Sequence, residues 1–350
     1  MHIKPSDWPQ LARELLDRNI CKPLPKTDLI YHNGQPLLNG IFGVGKNKFV
    51  KDRHGNDVEV QRLIINLVPS NEIQSDIVAD VATLPHFAQW SGVELLDDET
   101  LVWASEDISC AFYIFQLPES WLPYFTLDWP VRACDVGLAG EEEVHLAFCS
   151  LPMGWKSAVG ICQCALRSFV NRPELGAGLP PQAELRKDRS LPISFCDSDF
   201  RVRQWYQCYI DNWDGASIVQ RDSSGSADDC IASPSVDSPA GVLIATWQKM
   251  VHRGYLQSKV PRAPDKSTLG PEGQTLGVTI NGNRGSVSLG SDKLSDIICL
   301  TMFILSQRVH SPKLLAMLVG RWIFMFQLRR PCMVMLQHVS QVINRQVAVP

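Results

Sequence analysis

Apolar residues recur at helical spacing from Asp7 to Asn19 (DWPQLARELLDRN), behind an Asp suited to cap a helix and a Pro two places on, so the spacing predicts a leading helix. Beyond it the period becomes that of strands. Between Leu38 and Asn71 two extended runs, GIFGVGKNKFVKD and VEVQRLIINLVPSN, flank His54-Gly55-Asn56-Asp57 and predict a hairpin. Residues 81–90 read as a short helix, and residues 94–103 as a turn entering a strand that continues as LVWA toward Asp107. Residues 144–151 read as strand, Pro152 to Ser157 as a turn, and the stretch through Ser168 as a helix with Gln163 midway.

The second half repeats the alternation. QWYQCYIDNWDG, from Gln204 to Gly215, runs apolar and aromatic residues up to Asp211-Asn212 and resumes with Trp213, which predicts a hairpin with a carboxylate at its tip. Residues 242–253 read as helix, and residues 275–287 as a hairpin turning at Asn281-Gly282-Asn283. Three helix-like segments, 291–305, 311–328 and 331–344, follow. Residues 171–200 and 221–241 are rich in Pro, Gly, Ser and charge and read as connections. Asp228-Asp229, inside the second, has no strand before it and is set aside as a site.

With 350 residues, 45% hydrophobic and 20% charged, the chain has material for two or three core-bearing units and is neither disordered nor fibrous. A formal net charge of −4 gives no global attraction to nucleic acid, so such a partner requires a local basic surface. The first hairpin supplies one in Lys46, Lys48, Lys51, Arg53 and Arg62. A solvated edge wearing Lys against aggregation accounts for those charges equally well. Gly43-Val44-Gly45-Lys46 lacks the spacer and the Ser/Thr of a phosphate loop. The cysteines lie singly, and Cys162 and Cys164 lack the spacer of a zinc or redox motif, so reduced thiols are expected. With no N-x-Ser/Thr sequon and no apolar signal core in MHIKPSDWPQ, the expectation is an intracellular protein. The run from Leu314 to Leu328 is broken by Arg321 and is shorter than the ~20 residues a bilayer demands, so no membrane partner is expected.

A carboxylate at a hairpin tip becomes chemically useful when a second one faces it, because paired oxygen ligands hold the divalent ions of phosphoryl transfer. Asp107, at the end of LVWASED, is the candidate partner for Asp211. The other reading makes Asp107 a helix cap, with Ser105 and Glu106 beside it.

Taken in order, the pieces are a basic hairpin with RLIINLVPSN, a strand ending in Asp with an aromatic five residues on, a Leu-Pro-x-Gly turn into a helix, a Tyr-x-Asp hairpin, and a Leu-Gly hairpin before terminal helices. The series resembles the reverse transcriptases of retroelements from about Asn39 to Asn344, and LVGRWIFMFQLRRP is most similar to retrotransposon polymerases. The resemblance implies an α+β right-hand polymerase. Residues 1–38 would be an N-terminal helical extension, 39–100 the fingers, and 101–285 a ferredoxin-like palm of antiparallel sheet and helices. A fingers insertion would lie near 118–147, and residues 286–350 would form a helical thumb.

The implied activity is RNA-directed DNA polymerisation on an RNA or DNA template with primer, using deoxynucleoside triphosphates and two Mg²⁺ or Mn²⁺ ions. Asp107 and Asp211 match the metal-holding aspartates, and the carbonyl of Ile108 a further ligand. Phe112 matches the bulky residue under the sugar, and Arg62, nine residues before Asn71, matches the arginine over the nucleotide. Lys48, Lys51 or Arg53 would give a second phosphate contact, with no spacing to choose between them. Gln163 and Leu151, Pro152, Met153 and Gly154 match the segment at the templating pair. Tyr209 belongs to the Tyr-x-Asp turn, and Leu276-Gly277 matches the primer grip.

The family turn carries two aspartates, and its second position here is Asn212, which offers a carbonyl oxygen without charge. Changing it to Asp is expected to raise activity. Asp214 lies two residues further on, and strand alternation is expected to aim it away from Asn212. The acidic net charge suits a polymerase that draws nucleic-acid affinity from other domains of a retroelement polyprotein. The alternative is a catalytically silent retroelement-derived domain that keeps the fold and a nucleic-acid groove.

Overall fold

A computed structural model of the chain describes residues 4–52, 55–77, 79–189, 203–221, 239–307 and 311–347. Arg53, His54 and Asp228-Asp229 lie outside the described residues, as does most of the predicted connection at 221–241. The chain begins with α1 (Trp8–Asp17), β1 (Cys21–Leu24), β2 (Tyr31–His32) and β3 (Gln35–Pro36). The long hairpin β4 (Gly40–Lys51) and β5 (Asp57–Asn66) leads to α2 (Val68–Ile73). Next come β6 (Glu99–Asp107), α3 (Ala111–Ile114), β7 (Val131–Arg132), β8 (Glu143–Phe148) and α4 (Ala158–Asn171). The hairpin β9 (Gln204–Tyr209) and β10 (Asn212–Gln220) precedes α5 (Pro239–Gln257). Four short strands follow: β11 (Thr268–Gly270), β12 (Glu272–Thr275), β13 (Val278–Asn281) and β14 (Ser286–Leu289). The chain closes with α6 (Ser291–Ser306), α7 (Pro312–Phe326) and α8 (Gln337–Val347).

The contacts divide the chain into two compact units, Met1–Val81 with Ile108–Leu166, and Ala82–Asp107 with Arg167–Pro350. In the first, α1 buries Trp8, Ala12 and Leu15, one face at helical spacing. A three-stranded antiparallel sheet, in the order β1–β8–β7, lies in the same unit. The β4–β5 hairpin shifts register between Gly45 and Phe49, and Asn47 there has a φ of 53°. This is a β-bulge in an otherwise regular ladder. Gly43 and Gly45 sit within that ladder.

The second unit is built on a four-stranded sheet in the order β11–β6–β10–β9, antiparallel throughout. Helix α5 covers one face with Ile244, Trp247, Val251 and Tyr255, all buried and spaced as one helical stripe. Tyr206 meets Trp247 edge to face at 5.8 Å, and the missing side chain at Gly215 makes room for Ile244. The other face carries a core of Trp90, Trp103 and Trp205, with ring centroids 5.2 and 5.4 Å from Trp90.

Three predicted elements change form. The helix expected over residues 81–90 is instead a pair of 3₁₀ turns, Asp80–Thr83 and Phe87–Gly92, because Pro85 interrupts the run and His86 caps a new start through Ala88 and Gln89. The hairpin expected over residues 275–287 is part of a three-stranded meander, β12–β13–β14. Its first turn is Leu276-Gly277, with φ of 50° and 83°, the positive values a two-residue hairpin turn uses. The last predicted helix begins as a 3₁₀ segment, Arg330–Leu336, and becomes α8 only from Gln337.

The meander is locked against β6 at Gly282, where an added Cβ would lie 2.1 Å from the carbonyl oxygen of Leu101. That neighbour is strand backbone and cannot yield. Gly282→Ala is expected to lower unfolding free energy by about 2–3 kcal/mol in urea denaturation. Gly270→Ala, with nothing within 4 Å of the new methyl, is expected to change it little.

Candidate functional site

Side chains of alternate strand residues face one way, so the register sorts the second unit's sheet into rows. Asp107, Asn212 and Tyr209 stand opposite one another across β6, β10 and β9. Two residues inward, Ser105, Asp214 and Gln207 form the next row, and beyond them Trp103, Ala216 and Trp205 form a third. One face therefore grades from an indole core, through buried polar groups, to the strand ends. The outermost row opens on a cleft of about 620 Å³ that Lys266, Thr275 and Leu276 also line.

Tyr209 pairs with Asn212, which leaves Ile210 and Asp211 as the two residues of the turn. Ile210 has a φ of 59°. For a β-branched residue that value stores about 1–3 kcal/mol of strain, which the paired strands on either side sustain. The tip thus presents Asp211 beside the row of Asp107.

Asp107 is buried, and its Oδ2 accepts from Lys266 Nζ at 2.8 Å. Burial raises its pKa above the usual carboxylate range even though the Lys266 hydrogen bond and charge pull it down. Loss of solvation thus outweighs the lysine. Burial opposes the charge on Lys266, but its hydrogen bond to Asp107 and the charges of Asp107, Asp211 and Asp265 prevail and raise its pKa. Lys266 thus feels both carboxylates at once. It is held over them by its neighbours: Arg262 makes a two-pronged ion pair with buried Glu106 at 2.5 and 2.9 Å, Ser267 Oγ donates to Glu106 at 2.8 Å, and Ala263 N donates to the Asp107 carbonyl at 3.0 Å.

Among the described residues no group of three or more His, Cys, Asp or Glu side chains is arranged to hold a metal ion, and Asp107 and Asp211 are a pair. Hard oxygen donors of this kind fit Mg²⁺ or Mn²⁺ rather than a thiophilic ion.

The middle row is a closed hydrogen-bond network around Asp214, which is 1% exposed. Its Oδ1 accepts from Asn212 Nδ2 at 2.7 Å and Ser105 Oγ at 2.9 Å, and its Oδ2 from Thr275 Oγ1 at 2.7 Å and Gln207 Nε2 at 3.0 Å. Gln207 is steadied in turn by Trp90 Nε1 at 3.3 Å. The four donors to Asp214 are neutral, and burial, outweighing their hydrogen bonds, pushes its pKa to about 6. Strand alternation does not aim Asp214 away from Asn212. Residues two apart share a face, and the two side chains are bonded to each other.

The first unit places its own predicted residues around β5. Arg62 lies on the exposed strand opposite Val44. Its charge reaches Tyr113, the neighbour of half-buried Phe112 on α3. The Leu151-Pro152-Met153-Gly154 turn is tied to the end of the same strand: Ile65 N donates to the Met153 carbonyl at 3.2 Å, and Asn71 Nδ2 to the Gly154 carbonyl at 2.9 Å. At Gly154, φ is +116° and a Cβ would lie 2.3 Å from the Ile65 carbonyl oxygen, so glycine is required. Gln163 is fully buried on α4, and Ile108 is buried just after β6. Lys51 pairs with Asp57 at 2.9 Å, five strand residues from Arg62 and so roughly 17 Å along the hairpin. The Leu151–Gly154 turn is held at the Ile65 end of β5, Arg62 lies three residues back along the same strand beside Tyr113, and Lys51 stands at the far end of the hairpin.

Lys266, the Glu106–Arg262 pair, Gln207 and Thr275 are missing from the sequence reading. Lys266 and Thr275 reach Asp107 and Asp214 across 159 and 61 residues, and Arg262 reaches Glu106 across 156, with no local pattern to mark them, whereas Gln207 lies two residues from Tyr209. Ser105 and Asp214 did carry a signal, each two residues from a predicted site residue and hence on its face.

No family profile matches the sequence, and no curated protein does. Solved structures do. The foamy viral protease-reverse transcriptase in complex with RNA/DNA hybrid aligns with TM-score 0.54 and 12% identity over 99% of this chain and 34% of that one. The same viral protein in complex with double-stranded DNA aligns with TM-score 0.51 and 14% identity over 93% of this chain and 49% of that one. The likeness shows a reverse-transcriptase-like, polymerase-like fold. The chain spans between a third and a half of the length of these neighbours. Among the described residues no helix is long and apolar enough to cross a membrane.

The Asp214 network makes a pH prediction. A carboxyl raised to about 6 in the folded chain, against ~3.9 unfolded, takes up a proton on folding between those values, so its contribution to stability falls as pH rises through that window. Between pH 4.5 and 7.5 wild type is expected to lose about 2 kcal/mol relative to Asp214→Asn, measured by urea denaturation across that range.

Proposed function

We propose that the chain is the RNA-directed DNA polymerase domain of a retrotransposon-type retroelement, adding deoxynucleotides to a primer 3′-hydroxyl on an RNA or DNA template. The observation that carries this reading is the outermost row of the sheet. Asp107 and the tip that bears Asp211 are set side by side by register, at the mouth of a cleft, with one lysine answering to both charges. The neighbours' nucleic-acid complexes support a nucleic-acid partner.

Under this reading Asp107 and Asp211, with the Ile108 carbonyl, would hold two Mg²⁺ or Mn²⁺ ions, whose chemistry would be activation of the primer hydroxyl and neutralisation of triphosphate charge. Lys266 opposes the rise that burial gives the Asp107 pKa and would add a positive charge for a phosphate in the cleft. Leu276, on the turn beside the cleft, and Tyr209, at the base of the acidic tip, bear on the primer strand. In the first unit, Arg62 lies over the nucleotide phosphates, Phe112 takes the place under the sugar, and Gln163 with the Leu151–Gly154 turn supports the templating pair. Residues 39–100, 101–285 and 286–350 correspond to fingers, palm and thumb, and further retroelement domains supply the nucleic-acid affinity that an acidic chain lacks.

Primer extension on poly(rA) with an oligo(dT) primer and Mg²⁺ or Mn²⁺ tests the proposal. Wild type is expected to incorporate dTTP, and Asp107→Asn and Asp211→Asn each to lower kcat by about a thousandfold or more. A wild-type chain that binds primer-template yet incorporates nothing would establish the silent-domain alternative instead.

A further inference from the structure

We infer that Asp214 is the positioning residue of the acidic turn. Its carboxylate holds the Asn212 carboxamide with the NH₂ turned into the sheet, so that Asn212 and Asp214 act as one matched donor–acceptor pair. The inference rests on the polymerase reading for its functional consequence, but the pairing itself rests on the hydrogen bonds alone.

Three observations converge. First, the orientation of the amide is fixed by chemistry. Nδ2 lies 2.7 Å from Asp214 Oδ1, while Oδ1 lies 3.2 Å from Ser105 Oγ, and the reverse orientation would set a carbonyl oxygen against a carboxylate. Second, Asp214 is itself immobilised by Ser105, Gln207 and Thr275, which come from three separate strands, so it is a rigid anchor rather than a surface acid. Third, Asn212 is the residue that closes the turn, paired with Tyr209 on one side and Asp107 on the other. Fixing its side chain fixes the exit of the strained Ile210-Asp211 tip, and with it the direction of Asp211.

The consequence reverses the expectation drawn from the family pattern. An aspartate at position 212 would not restore a missing ligand. It would replace the donor at 2.7 Å from Asp214 by a second anion and break the network from within. The negative charge absent at position 212 stands two residues inward, where it organises the turn instead of facing the cleft. Exchanging the two residues should keep the pair intact with its polarity reversed.

The test is a double-mutant cycle on the full chain with Asn212→Asp, Asp214→Asn and both together, followed by thermal denaturation and by primer extension. Asn212→Asp is expected to lower Tm by roughly 3–8 °C, and the double exchange to recover about half of that loss or more. In primer extension Asn212→Asp is expected to lower kcat about tenfold with nucleotide KM within about twofold of wild type, and the double exchange to regain part of it. An Asn212→Asp chain as stable as wild type, strictly additive effects in the exchange, or a gain of activity in Asn212→Asp would overturn the inference. Coupled stabilities with one and the same kcat in all four chains would overturn the positioning role. Four inert chains with coupled stabilities would overturn the polymerase reading while supporting the Asn212–Asp214 pair, so the two failures are distinct.

Discussion

The antiparallel register between β6 and β10 is the constraint on which the second unit depends. It sets Asp107 opposite Asn212, Ser105 opposite Asp214 and Trp103 opposite Ala216, so one alignment decides the tip, the polar network and the aromatic core together. A slip of one residue would turn every one of these side chains to the face that α5 covers. The register is held at both levels: the indole cluster of Trp90, Trp103 and Trp205 anchors the apolar end, and the four hydrogen bonds to Asp214 anchor the polar one. Core packing and site geometry are then the same set of contacts seen at two depths of one sheet.

Four carboxylates on these strands are buried: Glu99 pairs with Arg203, and the three nearer the tip are each satisfied differently. Glu106 faces α5 and is neutralised by a bidentate arginine, Arg262. Asp214 is surrounded by neutral donors and remains costly to ionise, with its pKa near 6. Asp107 pairs with the partly exposed Lys266 and burial still raises it, and of these three it is the carboxylate that lines the cleft, where a further cation could reach it. The Glu106–Arg262 pair also fixes the segment that delivers Lys266, so a structural ion pair on one face of β6 sets the electrostatics of the other. The strain at Ile210 belongs with these costs, since the unfavourable φ at the tip persists only because the strands on both sides are pinned.

Much of this was legible from sequence because it is local. Period-two runs and the Asn281-Gly282-Asn283 turn between β13 and β14 mark hairpins by the backbone they require, while the tip read at Asp211-Asn212 falls one residue earlier, at Ile210-Asp211. The choice between a strand end and a helix cap at Asp107 is also settled by local geometry. The helix that follows is a single turn, Ala111–Ile114, with Cys110 at its cap. What sequence could not give is the long-range pairing. Nothing around Lys266 or Arg262 shows that it meets the end of a strand more than a hundred residues away. Asp214 is a different case, since the two-residue spacing from Asn212 already placed both on one face. That burial turns Asp214 into an anchor rather than a spare ligand is a tertiary fact, supplied by Gln207 and Thr275.

The proposed polymerase chemistry requires Asp107 and Asp211 to form one divalent-cation site at the end of this register. Mn²⁺ titration followed by electron paramagnetic resonance measures it directly, without template, primer or nucleotide. Saturable Mn²⁺ binding by wild type that is lost in both Asp107→Asn and Asp211→Asn is the predicted result. Binding that survives either substitution unchanged, or none in wild type, would contradict it.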